Sequence, residues 1–154
     1  MKSNSGKRLI CILWCLGLFL LRPPLAAAFS DILVNVEVIK ATRNSTEIDP
    51  QLQDLVKELA PVLNYSGFSL LKKIEIRLVQ KGKGDVILSS GRVLELEFLG
   101  FEDKQARLLV RIVEKGEQTF RTTLLMVDKG SVLIGGPPHH DGVLLLRIGA
   151  GFVP

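Results

Sequence analysis

Between Asp31 and Ala41 the chain is rich in Val and Ile and partly alternates, with Val34, Val36 and Val38 on one side and Asn35 and Glu37 on the other, the period of a half-buried strand. After a polar stretch, Arg43-Asn44-Ser45-Thr46, the period changes. Asp49-Pro50 is a helix start, a carboxylate to accept free amide hydrogens followed by a proline suited to the first helical position. Leu52, Leu55, Val56, Leu59 and Leu63 then recur at helical spacing, with Gln53, Asp54, Lys57 and Glu58 turned away, which predicts an amphipathic helix ended or kinked by Pro61.

From Ile74 onward the period is two. Ile74, Ile76 and Leu78 alternate with Glu75 and Arg77; Leu94, Leu96 and Phe98 with Glu95 and Glu97; Ala106, Leu108, Val110 and Ile112 with Arg107 and Arg111. Glycine-bearing connections separate them at Lys81 to Gly84, Ser89-Ser90-Gly91, Gly100 to Lys104, Lys115-Gly116-Glu117 and Asp128-Lys129-Gly130, a spacing that predicts antiparallel hairpins. Leu124 to Val127 and Val143 to Ile148 are apolar on consecutive positions, which predicts strands covered on both faces and therefore central. The expected fold class is α+β, mostly β: one N-terminal amphipathic helix and about seven or eight mainly antiparallel strands, arranged as a sandwich, a small barrel or a curved sheet.

The first 28 residues carry a different pattern. Lys2, Lys7 and Arg8 precede an apolar run from Leu9 to Leu21, and Ala26-Ala27-Ala28 ends the segment with small residues. That order is expected of a secretory signal peptide cleaved after Ala28; the alternative is an uncleaved N-terminal anchor, for which the run is short of the ~20 residues that span a bilayer. Residues 29–154 are then a single β-rich domain, periplasmic or otherwise secreted. Of the 20 basic residues, Lys2, Lys7, Arg8 and Arg22 fall in this leader and no acidic one does, so the net charge of +4 becomes zero once the leader is removed. Nucleic-acid binding loses its electrostatic basis, and no membrane contact is expected beyond the leader. Cys11 and Cys15 also lie in the leader, so the domain has no disulfide and no thiolate ligand.

His139-His140-Asp141, following Gly135-Gly136-Pro137-Pro138, is the one cluster of metal-ligating residue types, read as a proline-stiffened polar hairpin tip. Adjacent side chains in extended backbone point opposite ways, so His139 and His140 are not expected to chelate one ion. No cofactor is expected. A hydrolase would need one of these histidines to face a serine or carboxylate across a cleft. No Gly-x-Ser-x-Gly turn is present, and Glu95 and Glu97 are expected to pair with Arg107 and Arg111 on a neighbouring strand. Asn44-Ser45-Thr46 and Asn64-Tyr65-Ser66 match the glycosylation triplet. Tyr65, Phe68 and Phe101 sit in or beside turns and are candidate anchors for a partner or plugs at the ends of the core.

The pattern from Asp49-Pro50 through Tyr65-Ser66-Gly67-Phe68 to the glycine-rich end resembles small exported bacterial β-rich proteins of unknown function. Thr122 to Gly136, with its Asp128-Lys129-Gly130 turn and Val132-Leu133-Ile134-Gly135-Gly136, is similar to a β-hairpin of the outer-membrane secretin family. The resemblance implies a part in envelope assembly and assigns no functional residue. The resulting expectation is a non-enzymatic envelope protein that contacts another envelope protein or itself, an accessory subunit of a secretion or surface-assembly system being one form of that role. The alternatives are a carrier of a small apolar ligand inside the sheet and an uncharacterised hydrolase.

Overall fold

A computed structural model describes residues 29–89 and 91–154. The basic head, apolar run, cysteines and cleavage site expected before Phe29 lie outside the described residues. Eight strands, β1 (Asp31–Thr42), β2 (Gly67–Val79), β3 (Lys83–Ile87), β4 (Arg92–Glu102), β5 (Gln105–Glu114), β6 (Glu117–Met126), β7 (Gly130–His139) and β8 (Gly142–Val153), form two antiparallel four-stranded sheets. Sheet A has the order β2-β1-β8-β7 and sheet B the order β3-β4-β5-β6. Among the three arrangements the pattern allowed, this is the sandwich. No helix among the described residues is long and apolar enough to cross a membrane.

Alternation drives the packing. Ile32, Val34, Val36 and Val38 of β1 and Leu144, Leu146, Ile148 and Ala150 of β8 face Leu94, Leu96, Phe98, Leu108, Val110 and Ile112 of sheet B in one continuous core. Each such side chain contributes about 1.5–3 kcal/mol on full burial, the main term holding the sheets together in a domain without cysteine. The opposite face of sheet A is covered at one end only. There a 3₁₀ turn, Pro50–Leu52, leads into α1 (Gln53–Leu59), and Leu52 and Val56 pack on Ile39, Ala41, Phe68 and Leu145. Asp49 Oδ1 accepts from the Gln51 amide at 2.9 Å, the cap expected of Asp49-Pro50. The helix is short, ending at Leu59, because Pro61 has no amide hydrogen to continue the ladder; Ala60 keeps helical angles and its amide bonds the Val56 carbonyl, and Leu63 packs from beyond the helix.

β8 is central, as its consecutive apolar residues predicted, and is covered on both faces where Val143 and Leu145 join the cluster under the helix. The same inference fails for Leu124 to Val127: β6 is an edge strand, and Leu125 and Val127 stand 56% and 54% exposed. Two connections also differ from expectation. The β4–β5 turn is Asp103-Lys104, both left-handed at φ 47° and 64°, and Gly100 lies inside β4 at a register shift with φ 124°. Gly135-Gly136-Pro137-Pro138 is no hairpin tip either. It belongs to β7, where the register slips between Gly135 and Pro138, and the tip is His140-Asp141 alone. A bulge on an edge is where a sheet tolerates proline.

The two ends of the sandwich contrast in chemistry. One is closed by Phe98, Phe101 and Phe152, with ring centroids 5.2 and 4.9 Å apart in edge-to-face contact, and by Phe29 against Phe152 at 5.7 Å. At the other meet the ends of β1 and β7, the start of β4 and the β3–β4 connection, and it is polar.

Candidate functional site

The polar end gathers His139, His140 and Asp141, with geometry set by one backbone angle. His140 adopts φ 50°, so the chain leaves the extended path between the two histidines and their rings meet edge to face, centroids 4.4 Å apart. The expectation that they point apart is corrected on that ground. Asp141 nonetheless makes no hydrogen bond or ion pair with either ring. Its carboxylate pairs with Lys40 and accepts from the Thr42 hydroxyl at 3.0 Å, and these two partners hold its pKa down to about 2. No group of three His, Cys, Asp or Glu side chains able to hold a metal ion occurs among the described residues.

His139 instead meets a serine from the other sheet. Ser89 Oγ and His139 Nδ1 share a hydrogen bond of 3.0 Å, joining the β3–β4 connection to the last residue of β7. Arg92 extends the link, donating to the Pro138 carbonyl at 3.2 Å while its Nε lies 3.0 Å from Glu114. Desolvation, then the positive potential of His140, Lys40 and Arg92, lowers the His139 pKa below its usual 6.5. The imidazole is therefore neutral at pH 7 and able to accept a proton from a hydroxyl. The acid that would orient it is committed to Lys40, so this is two thirds of a hydrolytic constellation, used here as a bridge between sheets.

The aromatic candidates are placed by the fold. Phe68 is 2% exposed beneath the helix and offers no surface to a partner. Phe101 belongs to the aromatic end plug. Tyr65 is half-buried with the Arg43 guanidinium 5.4 Å from its ring centre. Asn44 and Asn64 are both exposed, and their loops are tied by Arg43 Nε donating to the Asn64 carbonyl at 2.8 Å. Glu95 and Glu97 pair with Arg111 at 3.1 and 3.5 Å, as expected, whereas Arg107 turns to Glu102 at 3.3 Å.

Strand edges form the second candidate surface, and the two sides of the sandwich treat them differently. At the β2/β3 side, the turn between the two strands is fastened to β4, where Lys81 N donates to Phe98 O at 2.6 Å and Phe98 N to Gly82 O at 3.0 Å, and Lys72 Nζ donates to the Ile87 carbonyl at 2.7 Å. Gly84 lets β3 lie so close that a Cβ there would sit 3.0 Å from Ile76. No backbone ladder among the described residues joins β2 to β3; β2 is guarded by a bulge at Leu71 and by outward Lys73, Glu75 and Arg77, and β3 by its length of five residues. At the β6/β7 side the strands share only the turn at Asp128-Lys129 and then pair away from each other, β6 with β5 and β7 with β8, so Thr122 to Gly136 runs from one sheet into the other. The bulge and two prolines guard β7. From Phe120 to Met126, beyond a register shift near Thr119, β6 has neither proline nor bulge. Its inward Phe120 and Leu124 are only partly buried, its outward Leu125 is exposed, and Arg121 stands opposite Arg111, whose carboxylates are already paired.

Sequence reasoning missed this edge and the Ser89–His139 contact. The absence of proline or charge pairs along Thr119 to Met126 was a readable sign of an unguarded edge; nothing local marked Ser89. Compared with known protein families, with curated proteins and with solved structures, the chain matches none.

Proposed function

We propose that the chain is a non-enzymatic exported envelope protein that holds another protein by strand addition along β6. The observation that carries this reading is the contrast among the edges of the described residues: β7 is bulged and proline-bearing, β2 is bulged at Leu71 and carries outward Lys73, Glu75 and Arg77, β3 is five residues long, and β6 presents a plain run from Phe120 to Met126 beside half-buried apolar side chains. An extended partner segment would gain backbone hydrogen bonds, cover Phe120 and Leu124 with alternate side chains, and best place a carboxylate beside Arg121. An accessory role in a secretion or surface-assembly system is the setting that the sequence likeness of Thr122 to Gly136 to a secretin β-hairpin suggests, although in this fold its two strands pair in different sheets instead of with each other.

The interior favours contact over carriage of an apolar ligand. Leu94, Phe98, Leu108, Val110, Leu144, Leu146 and Ile148 are fully buried and occupy the space between the sheets. A photo-crosslinking residue at Thr123 tests the proposal in intact cells: an adduct is expected there and not at Asp85 on β3, and it should vanish when Leu125 is replaced by Lys. Recovery of monomer alone from Thr123 counts against it.

A second reading, a hydrolase, rests on the Ser89–His139 contact. Stoichiometric labelling of Ser89 by a fluorophosphonate, abolished in His139→Gln, would establish it; an inert Ser89 removes it.

A further inference from the structure

The outer face of sheet A, beyond the part covered by the helix, carries a hollow of about 390 Å³ spanning all four strands. Its floor is β8. Ile148 and Ala150 point into the core, so Gly149 and Gly151 face outward, and the strand pairing sets Asn35 and Ser131 on either side of Gly149. These two glycines have no internal explanation. Neither adopts a left-handed φ; a Cβ at Gly151 would meet nothing within 4 Å, and at Gly149 nothing nearer than 3.6 Å. Glycine in a strand interior costs roughly 0.5–1 kcal/mol relative to alanine. An open floor is the purpose left for them, since glycine in a strand marks close approach by a ligand or another backbone.

The walls are cationic and polar. Glu37 is shared between Lys73 Nζ at 2.9 Å and Arg147 Nη1 at 3.3 Å, and Lys129 closes the lower end with no ion pair among the described residues. Three cations thus surround one carboxylate that is already committed. Of the nearby acids, Asp128 accepts from the Phe152 amide at 2.8 Å, Asp31 pairs with Arg77 at 2.8 Å, and Glu75 stands on β2 opposite Asn35 without lining the hollow. The Asn35 amide and Ser131 hydroxyl make no side-chain hydrogen bond within the described chain and flank the bare floor.

We propose that this hollow binds a small hydroxylated anion, the chemistry shared by sugar acids and sugar phosphates. Its anionic group sits between Lys129 and the Arg147–Lys73 wall, and its hydroxyls bond Asn35 and Ser131 over the glycine floor. The volume is in the range of ~300–1,000 Å³ usual for small-molecule sites. The site stands on sheet A and is independent of strand addition at β6.

Calorimetry at low salt on the protein expressed from its full-length gene tests this with galacturonate, glucose 6-phosphate, glucose and inorganic phosphate. Saturable binding of galacturonate or glucose 6-phosphate is expected, at least tenfold tighter than glucose or inorganic phosphate, with the stronger of the two identifying the source. Lys129→Asn, which keeps a side chain tolerant of the turn, and Gly151→Leu, which fills the floor, should each weaken it at least tenfold with the melting curve retained. If Gly151→Leu fails to fold, Lys129→Asn decides. No saturable heat with either sugar anion, equal affinity for inorganic phosphate (an adventitious ion only), equal affinity for glucose, or an unaffected Lys129→Asn overturns the proposal.

Discussion

Ser89 Oγ lies 3.0 Å from His139 Nδ1, one hydrogen bond joining sheet B to sheet A across the polar end of the sandwich. Because desolvation and neighbouring cations lower the His139 pKa, the unfolded chain takes up the proton first as pH falls. The sign follows from linkage: stability is full above the ordinary value of 6.5 and declines as pH drops from there through the depressed folded pKa, below which the loss is constant. Urea midpoints measured from pH 8 to 5 should fall in the native chain and stay flatter in His139→Gln. Ser89→Ala should cost about 1 kcal/mol at pH 8, the usual worth of one hydrogen bond.

Asp141 titrates in a separate, more acidic window with the same sign. The Lys40 ammonium and Thr42 hydroxyl favour its charged form, so its contribution is complete above the ordinary 3.8 and disappears as pH falls toward about 2. Asp141→Asn should lower the melting temperature at pH 7 and shrink the acid-induced loss below pH 4, which a series of thermal melts would show. A wild-type acid limb in the variant would mean that other carboxylates govern it.

Phe98 is fully buried, reaches from the centre of sheet B into the core and contacts the aromatic plug through Phe101. Phe98→Ala should cost about 3–5 kcal/mol in urea unfolding, the range for large aromatic truncations that leave a cavity. A loss below 1 kcal/mol would mean that the core collapses around the gap.

Two glycines of β8 should respond oppositely to alanine. A Cβ at Gly142 would collide with the Ala41 carbonyl, backbone that cannot swing aside, so Gly142→Ala should be strongly destabilising. At Gly151 the space is open, and alanine should add about 0.5–1 kcal/mol by reducing the freedom of the unfolded chain. Paired thermal melts of the two variants give the comparison.

Leu125→Lys and Val127→Lys replace side chains already more than half exposed, so each should change stability by no more than about 0.5 kcal/mol. Retained melting curves together with a lost Thr123 crosslink would separate contact from folding.

Much of this architecture is legible as periodicity. Val34, Val36 and Val38 read correctly because one face of β1 is buried along its length, and Leu144 to Ile148 because the helix covers Leu145 while sheet B covers Leu144 and Leu146. Leu124 to Val127 presents the same local pattern with a different outcome, since strand order, which no short window encodes, leaves β6 at an edge. The polar end was partly legible. Residue types identified His139, His140 and Asp141, but the rule of opposed neighbours applies to extended backbone and fails at His140, which sits in the turn with a positive φ. Ser89 and His139 are brought together by two sheets stacking, a relationship that appears only with the tertiary structure.

The opening strand, β1, is hydrogen-bonded along its whole length to the closing strand, β8, from Asp31 opposite Val153 to Thr42 opposite Gly142. Ribosomal synthesis therefore delivers the keystone of sheet A last. A polypeptide stopped before residue 142 leaves β1 bare on one flank and β7 without any partner, so maturation is all-or-none and slow for its size, as expected when distant segments must meet. Until β8 arrives, the nascent chain remains open, the condition in which a chaperone can still handle it as thread.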